Sequence, residues 1–282
     1  MIKIAVIGSR GQLGTDLVGV LQRTGKHIVF PLTRSDVECS DLYSVKSVLT
    51  SLKPEVVVNC AAFVRVDDCE DNPEEAFMVN SLGSLNVAKV CGEIGSLCAY
   101  ISTDYVFDGE KNGFYTEEDP PHPINVYGTS KLAGEHLVSQ ACPRWLVFRT
   151  ASLFGKIGSR GKGGNFVESI LKKARAGEQL MVVNDIRMSP TYAFDAALVV
   201  ERLISQGATG LFHVANCGSC TWYEFARKAL ELASISAKIE PVSSSEYPTR
   251  AKRPKNSSLR SVNISEDLLG PWEEGLRAYL LV

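Results

Sequence analysis

The sequence predicts an α/β protein, a Rossmann-like doubly wound parallel sheet with a smaller C-terminal substrate-binding lobe. Three observations carry that reading. Short apolar runs of strand length alternate regularly with helical patterns along most of the chain. A glycine-rich turn directly follows the first apolar run, and the alternation gives way near Cys217 to one helix, a polar proline-containing stretch from Ser243 to Ser261 and a short last helix.

The elements follow in order. Ile2 to Ile7 is apolar except for one lysine, as expected of a strand buried on both faces. It enters a helix at Gln12 to Thr24 through Gly8-Ser9-Arg10-Gly11-Gln12-Leu13-Gly14. Glycine allows the tight turn and a close approach of backbone to phosphate, and the following helix aims its first amides at the anion. The glycine spacing is one residue longer than the commonest dinucleotide fingerprint, but its place on a strand-turn-helix points the same way. Further strands are expected at His27 to Leu32, Val56 to Asn59, Leu97 to Ser102, Trp145 to Arg149, Leu180 to Val183 and Leu211 to Val214. Helices are expected at about Ser44 to Leu52, Pro73 to Ile94, Val126 to Gln140, Phe166 to Ala176, Phe194 to Ser205 and Trp272 to Leu281. Thr221 to Glu224 reads as a capping box opening a helix at Trp222.

Composition narrows the class. The 282 residues are 45% hydrophobic and 22% charged with net charge -2, which gives no support to a nucleic-acid or anionic-membrane partner. No apolar stretch reaches membrane-spanning length, and the first residues lack the layout of a signal peptide, so a cytoplasmic location is expected. The eight cysteines are scattered, several within apolar runs, as suits reduced thiols used as small hydrophobes. His213, Cys217 and Cys220 could hold a metal, but no second cysteine pair accompanies them, and no metal site is expected.

The chemistry gathers beyond the carboxyl ends of the strands, where ligands bind in such sheets. There stand the glycine turn, Asn59-Cys60-Ala61-Ala62 and Ser102-Thr103-Asp104-Tyr105, followed by a helix carrying Tyr127 and Lys131. Side chains four apart share a helix face, so the ammonium can sit beside the phenol and lower its pKa toward that of a working proton donor.

With Gly164-Asn165-Phe166-Val167, Ser189-Pro190-Thr191 and Arg253-Pro254-Lys255-Asn256-Ser257 in order behind these motifs, the chain resembles the extended short-chain dehydrogenase/reductases. Within them it is most similar, almost end to end, to the dTDP-4-dehydrorhamnose reductases. The resemblance implies that Tyr127 protonates the C4 ketone oxygen of a nucleotide sugar as hydride arrives from a nicotinamide. It implies that Lys131 holds the nicotinamide ribose and tunes the tyrosine, and that Thr103 hydrogen-bonds the same oxygen. These residue types suit alkoxide character developing on that oxygen. Cofactor contacts are implied for Gly8, Arg10, Gly11, Gln12, Leu13, Arg34, Glu38, Cys39, Cys60, Ala61 and Ala62, with Tyr127 and Lys131. Substrate contacts are implied for Val66, Thr103, Asp104, Tyr105, Asn165, Arg187 and Arg253. Residues 1–150 would form the dinucleotide-binding core and 151–282 mainly the nucleotide-sugar lobe, with about 180–214 returning to the core.

At the end of the second strand an acid would favour NAD and a base NADP. Arg34 stands there and Arg10 lies in the glycine turn, so NADPH is favoured, with NADH possible. The substrate implied is dTDP-4-dehydro-L-rhamnose or a related nucleotide sugar. Ser152 replaces a tryptophan that many family members pack on the sugar, which loosens the sugar assignment. Other NDP-4-keto-6-deoxysugar reductases, epimerases and 4,6-dehydratases of the superfamily share the tyrosine, lysine and threonine. A dehydratase needs an acid-base pair after the threonine, and here Asp104 is followed by Tyr105. A regulatory subunit like methionine adenosyltransferase beta would have no chemical reason to retain all these groups. Some family members dimerise through magnesium held by glutamates. Phe194 stands at the expected glutamate position, so no such metal is expected, and the chain is read as a monomer or homodimer.

Overall fold

The computed structural model of the chain describes residues 1–157, 164–264 and 268–281. Its central sheet has six strands, β1 (Ile2–Ile7), β2 (His27–Leu32), β3 (Val56–Asn59), β4 (Leu97–Thr103), β5 (Trp145–Thr150) and β10 (Gly210–His213). All pairings are parallel, in the order β2-β1-β3-β4-β5-β10. The Rossmann-like class predicted from the alternation is therefore the fold observed.

Burial on both faces explains why the strands are apolar runs rather than alternating patterns. On one face α1 (Gln12–Arg23) packs with α8 (Ala193–Ser205): Leu13, Leu17 and Leu21 meet Ala197, Val200 and Ile204 over Ile4, Val6 and Val58. On the other, α2 (Leu42–Leu52), α5 (Gly83–Ile94) and α6 (Val126–Ala141) bury Val45, Leu49, Val87, Cys91 and Val138 over Ala5, Val57 and Tyr100. The strand order reverses between β1 and β3, and at this switch point the glycine turn packs against residues 60–61, the place where such sheets bind ligands.

The lobe has its own aromatic core, with Phe154, Tyr192, Phe225 and Trp272 buried between α7 (Phe166–Arg175), α9 (Trp222–Leu232) and α10 (Trp272–Leu280). Capping boxes at Asn165 with Glu168 and at Thr221 with Glu224 open α7 and α9. Three two-stranded pairs complete it: β6 (Leu153–Phe154) with β9 (Thr191–Tyr192), β7 (Leu180–Val183) with β12 (Ile239–Val242), and β8 (Arg187–Met188) with β11 (Cys220–Thr221).

Three features depart from the sequence reading. Leu180–Val183 is a strand but stays outside the central sheet, and the return to the core begins at Ala193. The helix expected over Pro73 to Ile94 is α4 (Pro73–Phe77), a π-helical turn at Met78–Leu82, and α5. A short acidic helix, α3 (Val66–Asp71), precedes it, where no helical periodicity was legible.

Candidate active site

The catalytic candidates come together because α6 lies unusually close to β4 and the turn after it. A Cβ at Gly128 would overlap the Tyr105 carbonyl oxygen, and one at Gly134 would overlap the Tyr100 hydroxyl and the Asn80 carbonyl. Asn125 caps the helix, its side-chain oxygen accepting from Gly128 N at 2.7 Å. The Thr103 hydroxyl donates to Asp104 Oδ1 at 3.0 Å and accepts from Tyr105 N at 3.2 Å. It also shares a side-chain hydrogen bond with Tyr127. The Tyr105 and Tyr127 rings meet edge to face at 6.0 Å.

Burial dominates the electrostatics. It pushes the Tyr127 phenol well above its ordinary value, with the Thr103 hydrogen bond opposing, so the group stays protonated. It lowers the Lys131 ammonium to about 7, with Glu135 and Cys60 opposing. Helical spacing suggested instead a phenol lowered by the ammonium. In the chain itself desolvation raises the phenol, and the opposing hydrogen bond comes from Thr103. Lys131 Nζ stands 4.0 Å from the Tyr100 ring centroid, a cation–π contact that partly offsets lost hydration.

Two supporting groups went unread in the sequence. Asn80, at the π-helical turn, donates to Ser130 Oγ at 3.0 Å and accepts from Phe63 N at 2.8 Å, and its carbonyl accepts from Tyr100 OH at 2.9 Å. Glu135 takes two hydrogen bonds from Arg149, at 2.9 and 2.7 Å, and one from Ser102 at 2.5 Å. The only available signal was helical spacing, since Glu135 follows Lys131 by one further turn.

The first turn is shaped for a dinucleotide. Gly8 has φ +75°, and a Cβ there would stand 2.8 Å from Ala61 N, while a Cβ at Gly14 would overlap the Gly8 carbonyl. Gly11 caps α1 without a side-chain hydrogen bond, and no acid stands in the first turn, so the first amides suit a pyrophosphate. Gln12 opens α1, whereas Leu13 is buried in the core and offers only its backbone. Cys60, Ala61 and Ala62 follow β3, with Cys60 N bonded to Ile7 O at 2.9 Å. At the end of β2, Arg34 is exposed and pairs with Glu38 at 2.7 Å. Arg10 is likewise exposed, and its charge reaches Asp36. The buried Cys39 thiol is pushed up to about 12, chiefly by desolvation, so it serves as packing.

The substrate candidates divide. Val66 starts α3, while Asp104 and Tyr105 directly follow the Thr103 strand end. Arg253 reaches the same side, donating to Asp67 Oδ2 at 2.7 Å and feeling the Tyr105 phenol. Arg187 sits on β8 with its side chain toward Glu224 at 3.6 Å and Ser219 O at 3.2 Å. Asn165 is taken up in capping: its oxygen accepts from Glu168 N, and its amide donates to Gly155 O and Tyr279 OH. Ser152 holds φ +42°, a left-handed conformation uncommon for a residue with a Cβ. Among the described residues no three His, Cys, Asp or Glu side chains are grouped to hold a metal. His213 Nδ1 faces the Tyr115 and Arg260 carbonyls, Cys217 donates to Leu269 O, and Cys220 is buried in the lobe core.

Comparison with known proteins agrees with this geometry. The spore coat polysaccharide biosynthesis protein SpsK of Bacillus subtilis is 38% identical over 282 residues, covering 99% of this chain and 97% of the relative. The dTDP-4-dehydrorhamnose reductase of Escherichia coli is 33% identical, covering 99% and 97%. A crystal structure of dTDP-4-dehydrorhamnose reductase from Bacillus anthracis in complex with NADP superposes with a TM-score of 0.94 at 33% identity, covering 99% of both chains. Residues 2–281 match the model of the RmlD substrate binding domain, and the chain therefore belongs to the RmlD family.

Proposed function

We propose that this chain reduces the C4 ketone of dTDP-4-dehydro-L-rhamnose to the alcohol of dTDP-L-rhamnose with NADPH. The observation that carries it is Tyr127 sharing a hydrogen bond with Thr103, one helical turn before the buried Lys131, in a chain that also carries the Gly8–Gly14 turn and is related over its whole length to such reductases. When bound, NADPH supplies hydride to C4. Tyr127, kept protonated by burial, gives its proton to the C4 oxygen, and the Thr103 hydroxyl can turn from Asp104 to that oxygen. Lys131, with Glu135 behind it, is the group to hold the nicotinamide ribose and supply positive charge as the phenol loses its proton. Arg34 and Arg10 would receive the 2'-phosphate, and Arg253 the sugar diphosphate.

The single acid after Thr103 and the Tyr105 that follows it favour reduction over dehydration. Ser152 supports a second reading, the same reduction on a neighbouring 4-keto-6-deoxysugar, because a small left-handed residue leaves room where the family often has a tryptophan. We assign the enzyme to the cytoplasm as a monomer or homodimer supplying cell-surface polysaccharide synthesis. Among the described residues no helix is long and apolar enough to cross a membrane.

The test follows NADPH oxidation with dTDP-4-dehydrorhamnose and identifies the product. Turnover to dTDP-rhamnose is expected, and Tyr127→Phe should lower kcat by about a hundredfold or more while NADPH still binds. A near-normal rate in that variant would remove Tyr127 from the chemistry, and a different product would move the enzyme to the second reading.

A further inference from the structure

Helix α3 carries four acidic residues in six, and its carboxylates do not simply face water. Asp67 uses both oxygens: Oδ1 accepts from Ala251 N at 3.0 Å and Oδ2 from Arg253 Nη2 at 2.7 Å. Burial alone would raise this carboxyl, but the Ala251 amide and the Arg253 charge outweigh it and hold it below its usual range. Asp68 and Asp71 pair with Arg250, and Glu70 accepts from Val126 N, the residue before Tyr127, at 2.8 Å. The circuit closes through Asn125, whose amide donates to Lys252 O at 2.9 Å while its oxygen caps Gly128. The loop holding Arg253 is thus tied at 251, 252 and 253 to α3 and to the cap of the catalytic helix.

We propose that Asp67 is a positioning residue for the nucleotide-sugar diphosphate, holding the Arg253 guanidinium in place near Tyr105 before the substrate arrives. This rests on the reading of Arg253 as a diphosphate ligand. An arginine side chain loses considerable rotamer freedom when it binds a phosphate, and a carboxylate anchored at two points removes that freedom in advance. One nitrogen edge is occupied by Asp67, and the side chain keeps 21% of its surface exposed, so an anion can still reach the group. A carboxylate beside a phosphate site also repels the phosphate, so the sign of the effect is itself informative. The anchoring dominates here because Asp67 is held by the Ala251 amide and cannot swing toward the ligand alone.

The experiment measures kcat and KM for dTDP-4-dehydrorhamnose and for NADPH in the full chain and in Asp67→Asn, Asp67→Glu, Arg253→Ala and the double variant Asp67→Asn/Arg253→Ala. Asp67→Asn should raise the KM for the nucleotide sugar by about tenfold, with a smaller effect on kcat and none on the KM for NADPH. Asp67→Glu should recover part of the loss, and the double variant should be no worse than Arg253→Ala, because Asp67 acts through that arginine. Additive losses in the double variant, or an equal rise in the KM for NADPH, would make Asp67 a general structural tie and overturn the proposal. A lower KM in Asp67→Asn would also overturn it, showing that the carboxylate masks Arg253. If Arg253→Ala leaves the sugar KM unchanged, the diphosphate role of Arg253 fails and the role of Asp67 with it, while the Tyr127 test stands independently.

Discussion

Lys131 shows what burial does to a single residue. Its side chain is among the largest fully buried ones in the chain, and desolvation brings its ammonium to about 7. The unfolded lysine keeps its proton to a much higher pH, so between about 7 and 10.4 the unfolded chain binds more protons. Stability attributable to this group therefore rises with pH across that window, and below it the folded chain carries the full cost of a buried charge. Lys131→Met should accordingly raise Tm at pH 6 by at least about 3 °C, with the gain shrinking as pH rises toward 10. A gain independent of pH would mean that the lysine is hydrated in solution. At this scale the candidate reactive groups were legible in the sequence, because tyrosine, lysine and threonine announce their chemistry by type. It could not reveal Asn80 or the Glu135–Arg149 pair, whose partners lie 50 and 14 residues away and meet only after the sheet and α6 have packed.

Among the elements, α6 depends on glycine more than on its own apolar face. Gly128 lies under the Tyr105 carbonyl, so Gly128→Ala must push the first turn outward and carry Tyr127 with it. The expected result is a kcat at least tenfold lower and a stability loss of about 1–3 kcal/mol, from steady-state kinetics and denaturant melts. Gly19→Ala in α1, where nothing stands within 4 Å, is the control and should be neutral or stabilising by up to about 1 kcal/mol. Full activity in Gly128→Ala would show that the helix tolerates a wider separation. Long periodic elements were legible because pattern and burial agree: Ile2–Ile7, Gln12–Arg23 and Val56–Asn59 stand close to where the apolar runs predict. The π-helical turn was not, since Met78–Leu82 contains neither proline nor glycine and is sustained by the tertiary hydrogen bonds of Asn80. Helix α3 was hidden because it is short and acidic, with only Cys69 buried.

At the scale of the whole molecule, the glycine turn, the parallel sheet and the ordering of motifs were readable, whereas the division of labour in the second half was not. Leu180–Val183 has the composition of a sheet strand, yet it pairs with Ile239–Val242 in the lobe. Apolar runs report burial and say nothing of which core receives them. Asn165, a substrate contact implied by the resemblance, has its side chain engaged by the cap of its own helix, by Gly155 O and by Tyr279.

The route of the chain through β10 and α8 has a practical corollary. The chain leaves the sheet after β5, builds β6, α7 and β7–β9 in the lobe, and comes back to lay α8 over α1 and β10 along β5 before leaving again. A gene fragment ending at residue 150 would encode the glycine turn and residues 60–62 and still lack one edge strand and the cover for Leu13, Leu17 and Leu21. Such a fragment should collect in the insoluble fraction and give no NADPH-dependent fluorescence change, whereas co-expression with residues 151–282 should restore both solubility and cofactor binding. A soluble, cofactor-binding fragment 1–150 would show that α8 and β10 are dispensable. Ribosomal synthesis faces the same constraint: the first half of the protein must wait with an open sheet edge until some sixty further residues have emerged.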